Sequence, residues 1–396
     1  MAFLELSAHK QRFLAQNLVD LSKRLAEFGH GLVVLSGDPS QCLHSVINSG
    51  NYSHVGYSEH NGFYERQDAE ALERDFPSLT FVKENTFSLF DEQSLPFSIE
   101  NMPDVFSPFR RKVEKYCSPL EVCDAPVSLP SVFMPEGYAS ATVADLGLDT
   151  DVLNESGDTL LSTVVLPNLG AEHFVGGESA ALTHLSHYLF EWRAASTYKE
   201  TRNALDSWQD STKFSPWLAH GALSVREVVR QVTHYEQTVE KNESTYWIYF
   251  ELLWREFFYW LQKKYDARYF SFSGIQGKTP NTSHNEEVFE SWCNGQTGYP
   301  IVDACMNQLA QTGYMSNRGR QLVASCFVHE LRQDWRYGAA WFEHQLIDFD
   351  VGSNWGNWLY LAGVGSDPRG HRQFNLQKQT GIYDRDGRFC SKWRTR

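Results

Sequence analysis

The sequence predicts an α/β domain built on a doubly wound parallel sheet, incomplete at its start, followed by an all-α domain. Three observations predict it. Strand-like and helix-like apolar patterns alternate early in the chain, and after residue 178 only helical periodicity remains. All twelve tryptophans lie between Trp192 and Trp393. Charge divides the same way: residues 1–170 hold 11 Lys/Arg against 24 Asp/Glu, and residues 171–396 hold 24 against 25.

Taken in order, Phe13, Leu14, Leu18, Leu21, Leu25 and Phe28 recur at helical spacing over residues 8–28, and Gly29 and Gly31 end that helix. Leu32-Val33-Val34-Leu35 follows as a short strand closed by Gly37-Asp38-Pro39. Residues 66–74 predict a second helix and residues 79–82 a second strand. A sheet that opens on a helix implies either an unusual fold or a missing initial βαβ portion. Scattered Pro, Ser, Gly and Asp make 119–175 a connection, giving domains at 1–118 and 176–396. In the second domain helices are expected at 178–191, 225–235, 243–264, 301–311, 317–332 and 339–348.

A content of 42% hydrophobic and 21% charged residues supports a large core and excludes wholesale disorder. No apolar run reaches the roughly 18 residues of a membrane span, and Glu5 interrupts any signal-peptide core. Seven cysteines without a CxxC pair indicate neither a disulfide framework nor a zinc site, and no other metal site is expected. The expectation is a soluble, cytoplasmic protein of a reducing compartment, with no membrane and no obligate protein partner. The net charge of −14 does not exclude nucleic acid, because residues 351–396 alone hold 8 Lys/Arg against 3 Asp/Glu.

Three clusters could carry chemistry. In the aromatic helix from Thr245 to Trp260, Glu251 and Arg255 stand four apart with Trp247 and Trp254 beside them; the plain alternative is a core helix with a surface ion pair. Ser211-Thr212-Lys213-Phe214-Ser215 opens a helix with hydroxyls suited to phosphate, or is an ordinary cap. Asp348-x-Asp350 and Asn354 precede Trp355 and Trp358 in what reads as a Gly-rich loop, where Asx turns are the alternative.

In this order the motifs resemble the photolyase/cryptochrome flavoproteins. The signatures are Trp247-x-x-x-Glu251-x-x-Trp254-Arg255-Glu256, Gly298-Tyr299-Pro300-Ile301-Val302-Asp303-Ala304, Asn317-Arg318-x-Arg320, Asp334-Trp335-Arg336 and Asp348-x-Asp350. Asn242-Glu243-Ser244-Thr245-Tyr246-Trp247, Asn354-Trp355-Gly356-Asn357-Trp358-x-Tyr360, Val105-Phe106-Ser107-Pro108-Phe109-Arg110 and Gln321, in place of Met, resemble the DASH branch. Members of the family begin with a strand-helix-strand portion ahead of the counterpart of His9-Lys10-Gln11-Arg12-Phe13, which this sequence does not contain.

The resemblance implies FAD in the helical domain. Tyr198, Ser211, Thr212, Lys213, Phe214, Ser215 and Arg255 match its phosphate side, and Trp247 and Glu251 also fall among cofactor positions. Asn317 and Arg320 match a polar face beside the flavin, Asp348 and Asp350 match acceptors for cofactor donors, and Asn354 matches the residue facing flavin N5. Trp292, Trp335 and Trp358 match an electron relay running from the surface to the flavin. Trp254 and Tyr360 match the walls of a lesion pocket, and Glu251 the acid that hydrogen-bonds a flipped pyrimidine dimer, so Glu251, Asn354 and Trp254 are the expected catalytic residues. Asn317, Arg318, Gln321, Arg369 and Arg372 complete the expected DNA contacts. Glu59, in Gly56-Tyr57-Ser58-Glu59, resembles the acid that binds a 5,10-methenyltetrahydrofolate antenna. The implied function is FAD-dependent, blue-light-driven repair of cyclobutane pyrimidine dimers in single-stranded DNA; the alternative is a cryptochrome-type photoreceptor without repair.

Overall fold

The computed structural model describes residues 6–131, 137–141, 174–367 and 372–394. Ser7 caps helix α1 (Ala8–Glu27) by accepting from Lys10 N–H. Of the apolar stripe read from spacing only Phe13 is deeply buried: Leu21 is 47% exposed, whereas Gln16, Val19 and Asp20 are buried beside Phe13. Their neighbour explains it. Gln16, Asn17 and Asp20 accept from the backbone N–H groups of Gly176, Gly177 and Ser179, at 2.9, 2.6 and 3.2 Å. Those donors open helix α5 (Glu178–Ser186; α2 to α4 precede it) and have no partner within their own helix.

The expected strand at 32–35 does not form. Leu32 C=O accepts from Ala141 N–H, but among the described residues no neighbouring strand supplies a ladder, and Val34 and Leu35 are each 39% exposed. Gly37-Asp38-Pro39 is a helix start rather than a turn: Asp38 caps α2 (Pro39–Asn48), with Pro39 at the first helical position. The parallel sheet consists, among the described residues, of β1 (His54–Ser58) and β2 (Thr80–Glu84), paired from His54↔Thr80 to Ser58↔Glu84. Helix α3 (Phe63–Asp75) connects them, which makes the βαβ unit of an α/β domain.

Residues 85–117 leave this sheet and pack on the helical part. Leu89, Phe90, Met102, Phe106, Phe109 and Val113 share one core with it, and α4 (Phe106–Tyr116) lays Phe106 and Phe109 on Phe257. After α5 come α6 (Tyr198–Thr201), α7 (Ser215–Ala219) and α8 (Val225–Thr238). At the centre stands α9 (Glu243–Tyr265), whose start is closed by an Asn242/Thr245 capping box. Then follow α10 (Glu286–Cys293), α11 (Pro300–Thr312), α12 (Asn317–Ser325), α13 (Trp335–Gln345), α14 (Val351–Leu361), α15 (Leu376–Tyr383) and α16 (Arg388–Lys392).

Helix α14 occupies the stretch read as a Gly-rich loop. Asp350 caps it by accepting from Ser353 N–H at 2.7 Å. Its glycines serve packing rather than turning. A Cβ on Gly356 would fall 2.2 Å from the Tyr269 hydroxyl and 2.3 Å from Phe258, and one on Gly352 would fall 3.2 Å from Phe258 C=O. Without side chains at these points, α14 lies directly against α9. Among the described residues no helix is long and apolar enough to cross a membrane.

Candidate functional site: a cavity between α9, α12 and α14

The close α9–α14 crossing leaves a cavity of about 560 Å³ on its outer side, joined to a smaller one of about 240 Å³. Glu251, Arg255, Asn317, Arg320, Asp348 and Asp350 line both. Two of the three carboxylates, Asp348 and Asp350, come from the start of α14 and the third, Glu251, from α9; the two cations come from α9 and α12.

Tyr198, Ser211, Thr212, Lys213, Phe214 and Ser215 all line the smaller cavity. Lys213 holds a left-handed backbone (φ 54), which costs a non-glycine residue energy and bends the segment around the cavity. Its Nζ donates to Ser211 Oγ at 2.8 Å, and His184 Nε2 meets Thr212 C=O at 2.8 Å. Burial raises the Tyr198 hydroxyl well above its ordinary value, so it stays a neutral donor.

In the middle, Asp348 Oδ2 accepts from Ser215 Oγ and from Arg320 Nη2, each at 2.7 Å. Its Oδ1 is buried without a partner in a wall shared by both cavities. A carboxylate oxygen so placed is open to a donor from a bound molecule or an ordered water. Arg255 is packed 3.6 Å from the Phe87 ring centroid and donates to Phe87 C=O at 2.8 Å. Burial lowers its pKa and Asp350 opposes that shift. Asn354 Nδ2 donates to Ala339 C=O at 3.0 Å, fixing the amide at the wall of the larger cavity.

At the outer end stand Trp247, Trp254, Gln321 and Tyr360. Trp254 and Tyr360 meet edge to face at 6.0 Å, and Phe106 stacks on Trp254 at 3.8 Å, holding its ring upright. Arg372 lies over Tyr360 and is paired with Asp367 at 2.5 Å, while Arg318 lies 4.8 Å from the Tyr383 ring and donates to Asn203. Both line the cavity, held by neighbours rather than extended toward solvent. Arg369 lies outside the described residues.

The tryptophans depart from the expected relay. Trp358 lines the cavity, but Trp292 and Trp335 are fully buried, so none of the three reaches the surface. Trp292 stands edge-on to Trp358 at 6.1 Å with its N–H on Val323 C=O, inside the core rather than at an outer end. Glu59 lies 3.4 Å from Lys263 Nζ, far along α9 from Glu251. The residue reading missed Arg202, which pairs with Glu251 at 2.7 Å, and Tyr314, which faces Lys213 and Arg320. Both adjoin matched motifs: Arg202 is one turn past Tyr198 and Tyr314 is three residues before Asn317.

Comparison with known proteins places this geometry. A family model described as the FAD binding domain of DNA photolyase matches residues 247–395, and one described as DNA photolyase matches residues 2–130. Cryptochrome DASH of Idiomarina loihiensis is 51% identical over 386 residues, 97% of this chain and 81% of that protein. The chain belongs to the photolyase/cryptochrome family, in its DASH branch. Cryptochrome DASH of Vibrio parahaemolyticus is 47% identical over 98% of this chain and 82% of its own length. Among solved structures, the Synechocystis cryptochrome superposes with a TM-score of 0.87 at 37% identity, covering 97% of this chain and 77% of that one. A bacterial class III photolyase from Agrobacterium tumefaciens does so at 0.79 and 27%, over 98% and 78%.

This DASH-branch chain is an FAD-dependent flavoprotein of the photolyase type, and its family acts on DNA. The cavity fits the cofactor: hydroxyl and cationic donors for a pyrophosphate at one end, an unpartnered buried carboxylate oxygen in the middle, and an amide and an indole beyond it.

Proposed function

We propose that the protein uses blue light to split cyclobutane pyrimidine dimers in single-stranded DNA. The observation that supports this reading is Glu251: it borders the cofactor cavity, stands between Trp247 and Trp254 along α9, and sits where the two cavities meet. FAD, when bound, supplies light absorption and the transferred electron.

The chain's residues do the rest. Ser211, Thr212, Lys213 and Ser215 hold the phosphates; Asp348 and Arg320 orient the ring system; the Asn354 amide, neutral at any pH, faces it without adding charge. Trp254 and Tyr360 stack on a dimer turned out of the strand, since a base inside a duplex is beyond reach. Glu251 hydrogen-bonds the base. Burial raises its pKa while Arg202 opposes that shift, and the protonated form is a donor to a carbonyl that gains charge. Tyr360 offers less stacking area than an indole and Gln321 is polar, so extrusion from a duplex is weakly supported and single strands are preferred. Glu59, at the Lys263 ion pair, is the proposed contact for a folate antenna.

The test is blue-light repair of a thymine dimer in a single-stranded oligonucleotide by pre-reduced protein. Light-dependent repair of this substrate, faster than of the same dimer in a duplex, supports the reading. An inactive protein with a normal flavin spectrum moves the assignment to a photoreceptor.

A further inference from the structure

We infer that Trp355, with Glu343 taking its indole proton, is the solvent-side end of the electron relay that starts at Trp358. The inference rests on the FAD-dependent photochemistry proposed above and on the tryptophan relay expected from the family resemblance, and adds the outlet that relay lacks, since Trp358, Trp335 and Trp292 are all sealed from solvent.

The path is read from one close helix approach and one ring contact. Trp358 lines the cavity, and α13 presses Gly338 onto it so closely that a Cβ there would fall 2.3 Å from Cη2 of the indole. Trp335 is one turn before Gly338 on the same helix and hence on the same face. The Trp335 ring meets the Trp355 ring edge to face, with centroids 5.6 Å apart. Trp355 is half-buried: one side packs on Phe270 at 5.1 Å, and its Nε1 donates to Glu343 Oε2 at 3.3 Å, at an exposed residue. Among the described residues the ring neighbours of Trp292 are Phe327, Phe342 and Trp358, which lead back into the core.

The chemistry suits the placement. With FAD bound, its photoexcited oxidised form would supply the oxidant for Trp358; Trp335 would then refill Trp358, and Trp355 would refill Trp335. Oxidised indole is a strong N–H acid, so Trp355 passes its Nε1 proton to the Glu343 carboxylate. The sum is one electron moved inward, one N–H bond broken, one O–H bond formed and a neutral indole radical left at the surface. Returning that electron would require the proton back as well, which slows recombination until a soluble thiol reduces the radical. The charged groups facing Glu343 are Lys10 of α1 and Glu65 of α3. Desolvation of its packed side, the largest influence, and Glu65 raise its pKa; the Trp355 N–H and Lys10 oppose that shift.

Flash photolysis of the FAD-loaded protein tests this, with flavin occupancy and circular dichroism checked for each variant. Trp355→Phe is expected to lose the long-lived tryptophan radical and to photoreduce slowly with an external thiol. Glu343→Gln is expected to keep the radical yield, with the transient spectrum remaining that of the indole radical cation. Illumination without a donor, followed by peptide mass spectrometry, is expected to find oxygen adducts on Trp355 of the unsubstituted protein. A Trp355→Phe variant with an unchanged radical lifetime, while Trp335→Phe abolishes it, overturns the assignment of the exit. Normal photoreduction in Trp335→Phe removes the relay itself, a separate failure.

Discussion

Glu251 Oε1 lies 2.7 Å from Arg202 Nη1, an ion pair set into the wall between two cavities rather than on the surface. Each partner limits the other: the guanidinium draws the acid toward ionisation, and burial pushes it back toward the proton. An acid held in that balance can donate to a base carbonyl and still be discharged.

Glu251→Gln should therefore keep FAD and photoreduction but repair dimers more slowly, and Glu251→Ala should lose more. Gln retains one donor and Ala none, so repair by pre-reduced protein on single-stranded DNA should fall in the order wild type, Gln, Ala. Equal rates for all three would remove Glu251 from the chemistry.

The same pair sets a pH dependence. The donor form is the protonated one, so repair should decline as pH rises through the Glu251 pKa. Arg202→Met removes the charge that opposes protonation, raising that pKa and moving the decline to higher pH. A pH profile that stays in place in Arg202→Met would show that the limiting group lies elsewhere.

Asp348→Asn should weaken FAD retention by about 1–3 kcal/mol, because Arg320 and the cofactor donor lose their charged acceptor. Asp350 has a second role as the cap of α14, so Asp350→Ala should cost about 1 kcal/mol of fold stability in addition. Asp350→Ser restores a cap oxygen without the charge and should recover the melting temperature, not the flavin. Full occupancy after dialysis in Asp348→Asn would contradict the placement.

Much of this was legible in the sequence, unevenly. Helices α9, α11 and the start of α12 show in apolar spacing, because each buries most of its circumference or a wide stripe. The strand expected at Leu32–Leu35 shows how little four apolar residues say when the partner that would complete the ladder is not specified locally. Asp38-Pro39 and Asp350-Val351 are both helix starts that read as turns, since an Asp cap and an Asx turn use the same side chain in the same way. The site residues came from motif resemblance, and Arg202 escaped because nothing beside it in sequence marks it as the partner of Glu251. Trp292 fits its motif, yet its burial rules out the surface role, a fact that only packing supplies.

Glu256 gives a stability signature of its own. It is fully buried with Oε1 on Leu89 N–H at 2.9 Å, joining α9 to the segment before α4, and burial raises its pKa from 4.5 to about 7. Proton uptake thus favours the folded state. The contribution is complete below the unfolded value of 4.5 and is lost as pH rises through about 7. Wild-type stability should fall by about 2–4 kcal/mol across that window from this group, and Glu256→Gln, which keeps the acceptor for Leu89, should flatten the slope. Parallel melting-temperature profiles would exclude Glu256 as the cause.

Two helical glycines should respond oppositely to the same substitution. Ala is the better helix former by about 1 kcal/mol, so Gly→Ala on an open helix face stabilises. Gly381 in α15 is such a position, with nothing within 4 Å of an added Cβ, and Gly381→Ala should raise stability by about 0.5–1 kcal/mol. Gly356 in α14 is not: its Cβ would lie 2.2 Å from the Tyr269 hydroxyl and 2.3 Å from a Phe258 ring carbon, both buried. Neither ring can swing away, so α14 must lift from α9, costing about 1–3 kcal/mol net. The lift carries Asn354 and Trp358 with it, because both project from α14 into the cavity wall. Gly356→Ala should therefore lower the melting temperature and release FAD together, whereas Gly381→Ala should leave FAD untouched. If Gly356→Ala kept its flavin and its stability, the direct α9–α14 contact that shapes the site would have to be wrong.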